Sequence, residues 1–302
     1  MKTKECGMAT AIGFIGLGVM GEPMCRNLAR KSGVPVFGFD RADAPLARLA
    51  EAGVTRAATL ADLARQCDVI FMALPSGKHV AAVCDGDDGL LAHADARHTI
   101  VDLGTSPVEA SRELAKRFAD KGAGYADAPI ARTRQAAEDG TLSVMVGASD
   151  AIFAKLRPLI ATFATDITHC GAIGAGQVVK ILNNMVLMET VVALGEALET
   201  AKRAGLDPQL VFETLAKGSA DSFALRNHGM KAMLSDTFPE RAFSTEYARK
   251  DISYALDLAR SVDIKLQGAE LADKLLGEAI DAGDGDLYWP VIARVIKASR
   301  TA

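Results

Sequence analysis

The sequence predicts an α/β protein in two parts, a doubly wound sheet over residues 9–173 and an all-α domain over residues 174–302. Three observations predict this. Short apolar runs alternate with helical patterns through the first half, which is the signature of βαβ units and a parallel sheet. A glycine-rich turn separates the first such run from the first helix. Beyond Gly176 only helical periodicity remains. A chain of 302 residues is long enough for both parts.

In chain order, Thr10 to Ile15 reads as a buried strand. It runs into Gly16-Leu17-Gly18-Val19-Met20-Gly21 and then a helix to about Lys31. This is GxGxxG at the position where it has a mechanism. The first glycine permits the turn, the second lets the backbone approach a pyrophosphate, and the third packs helix on strand. The helix N-terminus supplies N–H donors for the phosphates. The first domain is therefore read as a Rossmann-type dinucleotide-binding domain. Val34 to Phe39 reads as the second strand. It ends at Asp40, roughly 20 residues beyond the glycines, the spacing of a ribose-binding carboxylate. Asp40 favours NAD, while Arg41 could receive a 2′-phosphate and leaves NADP open.

Helices follow over Asp43–Ala52 and Thr59–Gln66. The strand Asp68–Leu74 ends at Pro75, and Thr99–Leu103 ends at Gly104-Thr105-Ser106-Pro107, before a helix over Val108–Phe118. Ligands of open α/β sheets bind at the carboxyl ends of strands, so Leu74, Pro75 and Thr105 are candidate cofactor contacts. One of Thr105 and Ser106 is expected to cap the following helix. GYADAPI, TLSVMVG and DITHC read as further strands, with a helix over Asp150–Phe163. The second half reads as helices Gln177–Ala204, Asp207–Ala216, Thr245–Val262 and Leu266–Ala282, and a last one from about Tyr288.

The long helix over residues 175–204 joins the two domains and carries Lys180 and Asn184. Four residues apart, they share a face. A lysine inside VVKIL is costly to bury unless paired or neutralised, and burial lowers its pKa toward that of a general base. The competing reading is a lysine that lays its stem on the core and its head in water. The cleft between the domains is the default ligand site.

Composition narrows the classes. A net charge of −4 argues against nucleic acid as a partner. The five cysteines form no CxxC pair and suggest neither a metal site nor a disulfide framework, so they read as small buried hydrophobes in a reducing cytoplasm. His79, His93, His98, His169 and His228 read as surface or loop residues. Met1 to Ala9 reads as a frayed leader without a signal-peptide core, with Met8 as an alternative start. No uncharged apolar run reaches a membrane span, and Met185 to Ala201, interrupted by Glu189, Glu196 and Glu199, reads as a buried helix of a soluble protein. An apolar helix in an all-α domain suits subunit contacts, so a homodimer or homotetramer is expected.

Four segments, in order, carry a resemblance. They are GFIGLGVMGEPMCRNL (Gly13 to Leu28), DAPIARTRQAAEDGTLSVMVG (Asp127 to Gly147), GAGQVVKILNN (Gly174 to Asn184), and Lys250-Asp251 preceded by Phe243. Together they resemble the β-hydroxyacid dehydrogenases, which include 3-hydroxyisobutyrate dehydrogenases and relatives of 6-phosphogluconate dehydrogenase. The resemblance implies Lys180 as acid/base, Asn184 holding the substrate, and Asp127–Thr133 binding its acid group. It also implies Lys250 and Asp251 at the nicotinamide end of the site. The activity it implies is hydride transfer between NAD(P) and a small β-hydroxy acid or its carbonyl partner. The chain departs from the family's D-x-P-V-S-G-G by carrying Ala131, Arg132 and Thr133. Arg132 is a planar fork suited to carboxylate, phosphate or sulfonate, and the sulfolactaldehyde reductase branch has a similar arginine–threonine pair. The alternative for Arg132 is that it points to solvent or pairs with Glu138 or Asp139. Gly104 stands where the family usually has serine. The rival functions are an imine reductase-like enzyme and a catalytically silent nucleotide-binding interaction protein, and retention of Lys180 counts against both.

Overall fold

The computed structural model describes residues 10–240 and 242–299, so the reading of residues 1–9 as a leader lies outside them. The chain forms two compact units, Met1–Lys180 and Ile181–Ala302, which divide inside the long helix rather than at its start.

The first unit contains β1 (Ile12–Ile15), α1 (Gly21–Lys31), β2 (Val36–Phe39), α2 (Asp43–Ala50), β3 (Val54–Arg56), α3 (Leu60–Gln66), β4 (Val69–Met72), α4 (Gly77–Cys84) and α5 (Leu90–His93). It continues with β5 (Thr99–Asp102), α6 (Val108–Ala119), β6 (Gly124–Asp127), β7 (Ile130–Ala131), α7 (Arg134–Asp139), β8 (Leu142–Gly147), α8 (Asp150–Ile160) and β9 (Ala164–Gly171). The sheet runs β3-β2-β1-β4-β5-β6, all parallel, and is extended by β8 antiparallel to β6. β7 pairs antiparallel and β9 parallel with β8. This is the doubly wound order, whose switch point lies between β1 and β4.

β1 and β4 are apolar at every position because helices cover both faces of the sheet. Their side chains alternate between two cores. Ile12, Phe14, Val69 and Phe71 enter one, and Ile15, Ile70 and Met72 enter the other. Phe14 stacks on Phe71, which meets Phe163 edge-on at 6.0 Å. Cys25, Cys67 and Cys84 sit within these cores, and burial pushes the Cys67 and Cys84 thiols up to about 12, which leaves them inert.

α9 (Ala175–Arg203) crosses into the second unit. That unit continues with α10 (Pro208–Leu215), a π-helical segment Leu225–Met233, α11 (Thr245–Ser261), α12 (Gln267–Asp281), a 3₁₀ turn Trp289–Val291 and α13 (Ile292–Ala298). Among the described residues its only β pairings are the isolated bridges Glu240–Leu287 and Ser244–Tyr288. Capping sets the helix starts. Asp207 accepts from Gln209 N at 3.0 Å with Pro208 in the first turn, and Ser244 accepts from Tyr247 N at 3.3 Å.

Several expectations are corrected. β3, α4, α5, α7 and the π-helical segment were not read from the sequence. Val54 is the only buried residue of β3, so that strand has no alternating pattern to reveal it. GYADAPI splits at Ala128-Pro129 into β6 and β7. His98 is a loop residue but buried, and His228 is buried in the π-helical segment rather than on a surface loop. His98 Nε2 lies 2.8 Å from Ala64 O, a satisfied core position. α9 is long and apolar enough to cross a membrane by length and composition, yet only 39% of its most apolar window is buried. Val179, Leu182 and Val186 of this helix remain exposed.

Candidate functional site

The β1–α1 turn has the shape its sequence requires. Gly16 adopts φ +85°, and a Cβ there would meet Ala73 O at 2.4 Å. A Cβ at Gly21 would lie 1.9 Å from Gly16 O. Packing within the protein thus demands these two glycines. Gly18 differs, because a Cβ there would meet nothing within 4 Å. The open space beside Gly18 is the cradle a pyrophosphate needs, next to an α1 N-terminus that no side chain caps. Glu22, an acid in the first turn of α1, is paired with Arg26 and Arg48, each at 2.6 Å, so its charge is balanced beside this cradle.

Asp40 closes the same loop. Its Oδ2 accepts from Leu17 N at 2.6 Å and its Oδ1 from Ala42 N at 2.8 Å. Each carboxylate oxygen keeps a second lone pair that can accept from a ribose hydroxyl. Arg41 is exposed beside it. Leu74 and Pro75 follow the carboxyl end of β4, and Thr105 is buried after β5.

The β5–α6 loop is built around Asp102, which is fully buried. Its Oδ1 accepts from Gly104 N and its Oδ2 from Ser106 Oγ, both at 2.8 Å. The expected cap of α6 by Thr105 or Ser106 is corrected. Pro107 occupies the cap position without a side-chain bond, because the Ser106 hydroxyl faces Asp102. Gly104 also finds its reason here, since a Cβ would come within 2.8 Å of Leu74 O.

The Asp127–Thr133 segment makes several polar contacts within the protein. Asp127 ends β6 with its carboxylate buried, accepting from Gly174 N at 2.6 Å and Gln177 N at 2.8 Å. Burial raises its carboxyl above the ordinary value, against the pull of those N–H donors. Ala131 is a half-buried residue of β7. Thr133 caps α7 by accepting from Ala136 N. Arg132 is exposed, and its fork is engaged within the protein. Its guanidinium reaches Asp166 at 2.7 Å, Thr141 O at 2.6 Å and Thr165 Oγ1 at 3.0 Å. Glu138 pairs instead with Arg134. Arg132 also holds φ +87°, the left-handed region that glycine would occupy without strain.

Lys180 is half-buried on α9, and Asn184, one turn on, is buried. Asn184 Nδ2 donates to Asp251 Oδ2 at 2.7 Å, and Asn184 Oδ1 accepts from Asn183 at 3.1 Å. Each end of the Asn184 amide keeps one further hydrogen-bonding position. Asp251 is ion-paired with Lys250 at 2.9 Å, and the Lys250 ammonium sits 3.8 Å from the Tyr247 ring centroid. Phe243 packs edge-on against Tyr247 and Trp289. Asn184, Lys250 and Asp251 thus form one connected polar group, flanked by aromatic rings.

Sequence reasoning missed Gln177. It is fully buried, with Oε1 accepting from Ser106 N at 3.0 Å and Nε2 donating to Gly104 O at 2.9 Å. Its one visible signal was a polar residue in the glycine-rich entry to α9, three positions before Lys180.

Comparison with known proteins agrees with this geometry. Residues 11–171 match the family model of the NAD binding domain of 6-phosphogluconate dehydrogenase. Residues 174–295 match that of the NAD-binding region of NADP-dependent 3-hydroxyisobutyrate dehydrogenase. The chain is 36% identical to 2-(hydroxymethyl)glutarate dehydrogenase of Eubacterium barkeri, over 91% of this chain and 92% of that protein. It is 33% identical to 2-hydroxy-3-oxopropionate reductase of Escherichia coli, over 95% and 97% of the two chains. The solved structure of Mycobacterium tuberculosis 3-hydroxyisobutyrate dehydrogenase with L-serine superposes with a TM-score of 0.86 at 30% identity, covering 97% of this chain and all of that one.

Proposed function

We propose, for a chain that belongs to the β-hydroxyacid dehydrogenase family, that Lys180 is the general acid/base acting on a small β-hydroxy acid or its carbonyl partner. Membership makes the protein an oxidoreductase in which bound NAD(P) supplies the hydride acceptor or donor at the carbon that bears the hydroxyl. Gly16 to Gly21, Asp40, Leu74, Pro75 and Thr105 are the residues that would hold it.

The observation that carries the proposal is the placement of Lys180 and Asn184 on successive turns of α9, one half-buried and the other buried and already oriented by Asp251. In oxidation the Lys180 amine takes the hydroxyl proton, and in reduction the ammonium returns it to the carbonyl oxygen. The free amide positions of Asn184 fix the substrate beside Lys180. The substrate class is supported by the relatives, whose names specify a hydroxymethyl dicarboxylate, a three-carbon oxo acid and bound L-serine. With Arg132 paired to Asp166 on β9, we read it as a structural residue rather than an anion ligand, and a carboxylate as the substrate's acid group. Asp40 supports NAD as the preferred cofactor.

We extend the proposal to a cytoplasmic homodimer or homotetramer. The exposed apolar face at Val179, Leu182 and Val186 is suited to a second copy, and sedimentation velocity measures the state directly. The mechanism is tested with Lys180→Ala in a nicotinamide-fluorescence assay against hydroxy acids and aldehydes, with NAD and NADP in parallel. Turnover is expected to fall at least about 1000-fold while cofactor affinity holds, the upper range for loss of a general acid/base. Near-normal turnover in Lys180→Ala would end the proposal.

A further inference from the structure

We propose that Asp127 and Gln177 are positioning residues that lock the Lys180-bearing turn of α9 to the loop carrying Thr105. The inference rests on the reading of Lys180 as the acid/base.

Two side chains make the lock. From the end of β6, Asp127 receives the main-chain N–H groups of Gly174 and Gln177, at 2.6 and 2.8 Å, and so fixes where α9 begins. A carboxylate here suits the free N–H groups and positive end of the helix dipole. From α9, Gln177 returns two bonds to the β5–α6 loop, taking Ser106 N–H and giving to Gly104 C=O. One carboxamide therefore satisfies a donor and an acceptor on either side of Thr105. Asp102 holds the same loop from beneath, through Gly104 N and Ser106 Oγ. The path from β6 through α9 to the loop after β5 is thus one continuous set of buried hydrogen bonds. Lys180 stands three residues beyond Gln177, on the neighbouring turn.

The surrounding glycines show that room is kept for this arrangement. A Cβ at Gly147 would come within 2.5 Å of Asp127 Oδ1, and one at Gly176 within 2.8 Å of Asp127 Oδ2. Capping alone is a poor account of Asp127. α9 spans 29 residues and does not depend on one cap to exist, whereas a fully buried carboxylate is costly to desolvate. What the two side chains supply is register. They set the rotation and height of the first turns of α9 relative to the loop, and hence where Lys180 Nζ meets a substrate held beside the cofactor. Misplacement of a reacting group by about 1 Å costs on the order of 100-fold in rate.

The test uses the full-length protein with Gln177→Leu, Gln177→Glu and Asp127→Asn, assayed in the reductive direction. Gln177→Leu removes both loop bonds, and Asp127→Asn leaves one N–H facing an amide NH₂. Each is expected to lower kcat about 100-fold while the dissociation constant for NAD(P)H changes less than about threefold. Gln177→Glu carries the distinctive signature. Its ionised form cannot donate to Gly104 O, while its protonated form can both accept from Ser106 N–H and donate to Gly104 O. Its rate relative to the parent should therefore recover as pH falls, which a purely structural role would not produce. Should Gln177→Leu fail to fold, Gln177→Glu decides alone. Hydrogen exchange gives a readout independent of activity, in which the amides of Ser106, Gly174 and Gln177 exchange slowly in the parent and faster in the variants. Unchanged kcat in the Gln177 variants, or a Gln177→Glu ratio flat with pH, overturns the proposal. Near-normal turnover in Lys180→Ala instead removes the acid/base reading, and exchange still decides whether the lock exists.

Discussion

Gly18→Ala separates glycine kept for a ligand from glycine kept for packing. In the free protein the new methyl meets no atom within 4 Å, and Gly18 is not among the glycines with positive φ. The fold therefore loses nothing, and the narrower unfolded ensemble stabilises the variant by about 0.4–1 kcal/mol. In a unit of this size that raises Tm by about 1–4 °C. The same methyl fills space that a pyrophosphate needs, and overpacking at the low end of about 1–3 kcal/mol weakens binding about tenfold or more. Gly21→Ala is the control, because its Cβ would stand 1.9 Å from Gly16 O and must displace main chain. It should lower Tm as well as affinity. Scanning fluorimetry of the free proteins and titration of NADH fluorescence give both quantities. A stable Gly18→Ala protein that binds NADH as tightly as the parent would show that the phosphates do not approach this turn.

Arg132→Gly tests the reading of Arg132 as a structural residue. It relieves a left-handed backbone costing about 1–2 kcal/mol and loses a half-exposed ion pair worth about 0–1 kcal/mol. Stability should stay within about 1 kcal/mol of the parent in urea unfolding, and the substrate KM should change less than about threefold, against the 10-fold or more expected if the fork bound a carboxylate. His228 gives a pH prediction. Burial lowers its pKa from 6.5 to about 4, so between those values the unfolded chain binds a proton that the native chain refuses. Its contribution is complete above about pH 6.5 and is lost as pH falls toward 4, in total about 3 kcal/mol. Urea unfolding from pH 7.5 to 4.5 should show this loss in the parent and a flatter profile in His228→Gln. Equal slopes in the two proteins would refute it.

The residues most legible in the sequence were those whose type is dictated by local geometry or by chemistry. Gly16 is favoured by its φ of +85° and Gly21 by the carbonyl of Gly16 in the same turn, and Asp207-Pro208 marks a helix start through bonds two residues long. Lys180 and Asn184 could be paired from the sequence because a helix brings i and i+4 to one face whatever the rest of the chain does. The histidines show where this kind of reading ends. Nothing beside His98 or His228 in the sequence announces that Ala64 O or the Tyr288 hydroxyl will meet its ring. Arg132 shows it again, since its partner Asp166 lies on another strand and its strained φ is a property of the folded turn. The resemblance places Asp127 in a substrate segment, and nothing beside it in the sequence points to its bonds with α9. Its partners lie 47 and 50 residues away, and those of Gln177 71 and 73 away. A group that reacts must have a particular chemistry and so can be recognised by type. A group that aims it needs only a hydrogen bond in the right place, and common residues such as aspartate and glutamine can supply that. If the lock formed by Asp127 and Gln177 governs Lys180, the rate of this enzyme depends on two side chains whose role becomes visible only when β6, α9 and the loop after β5 are seen together.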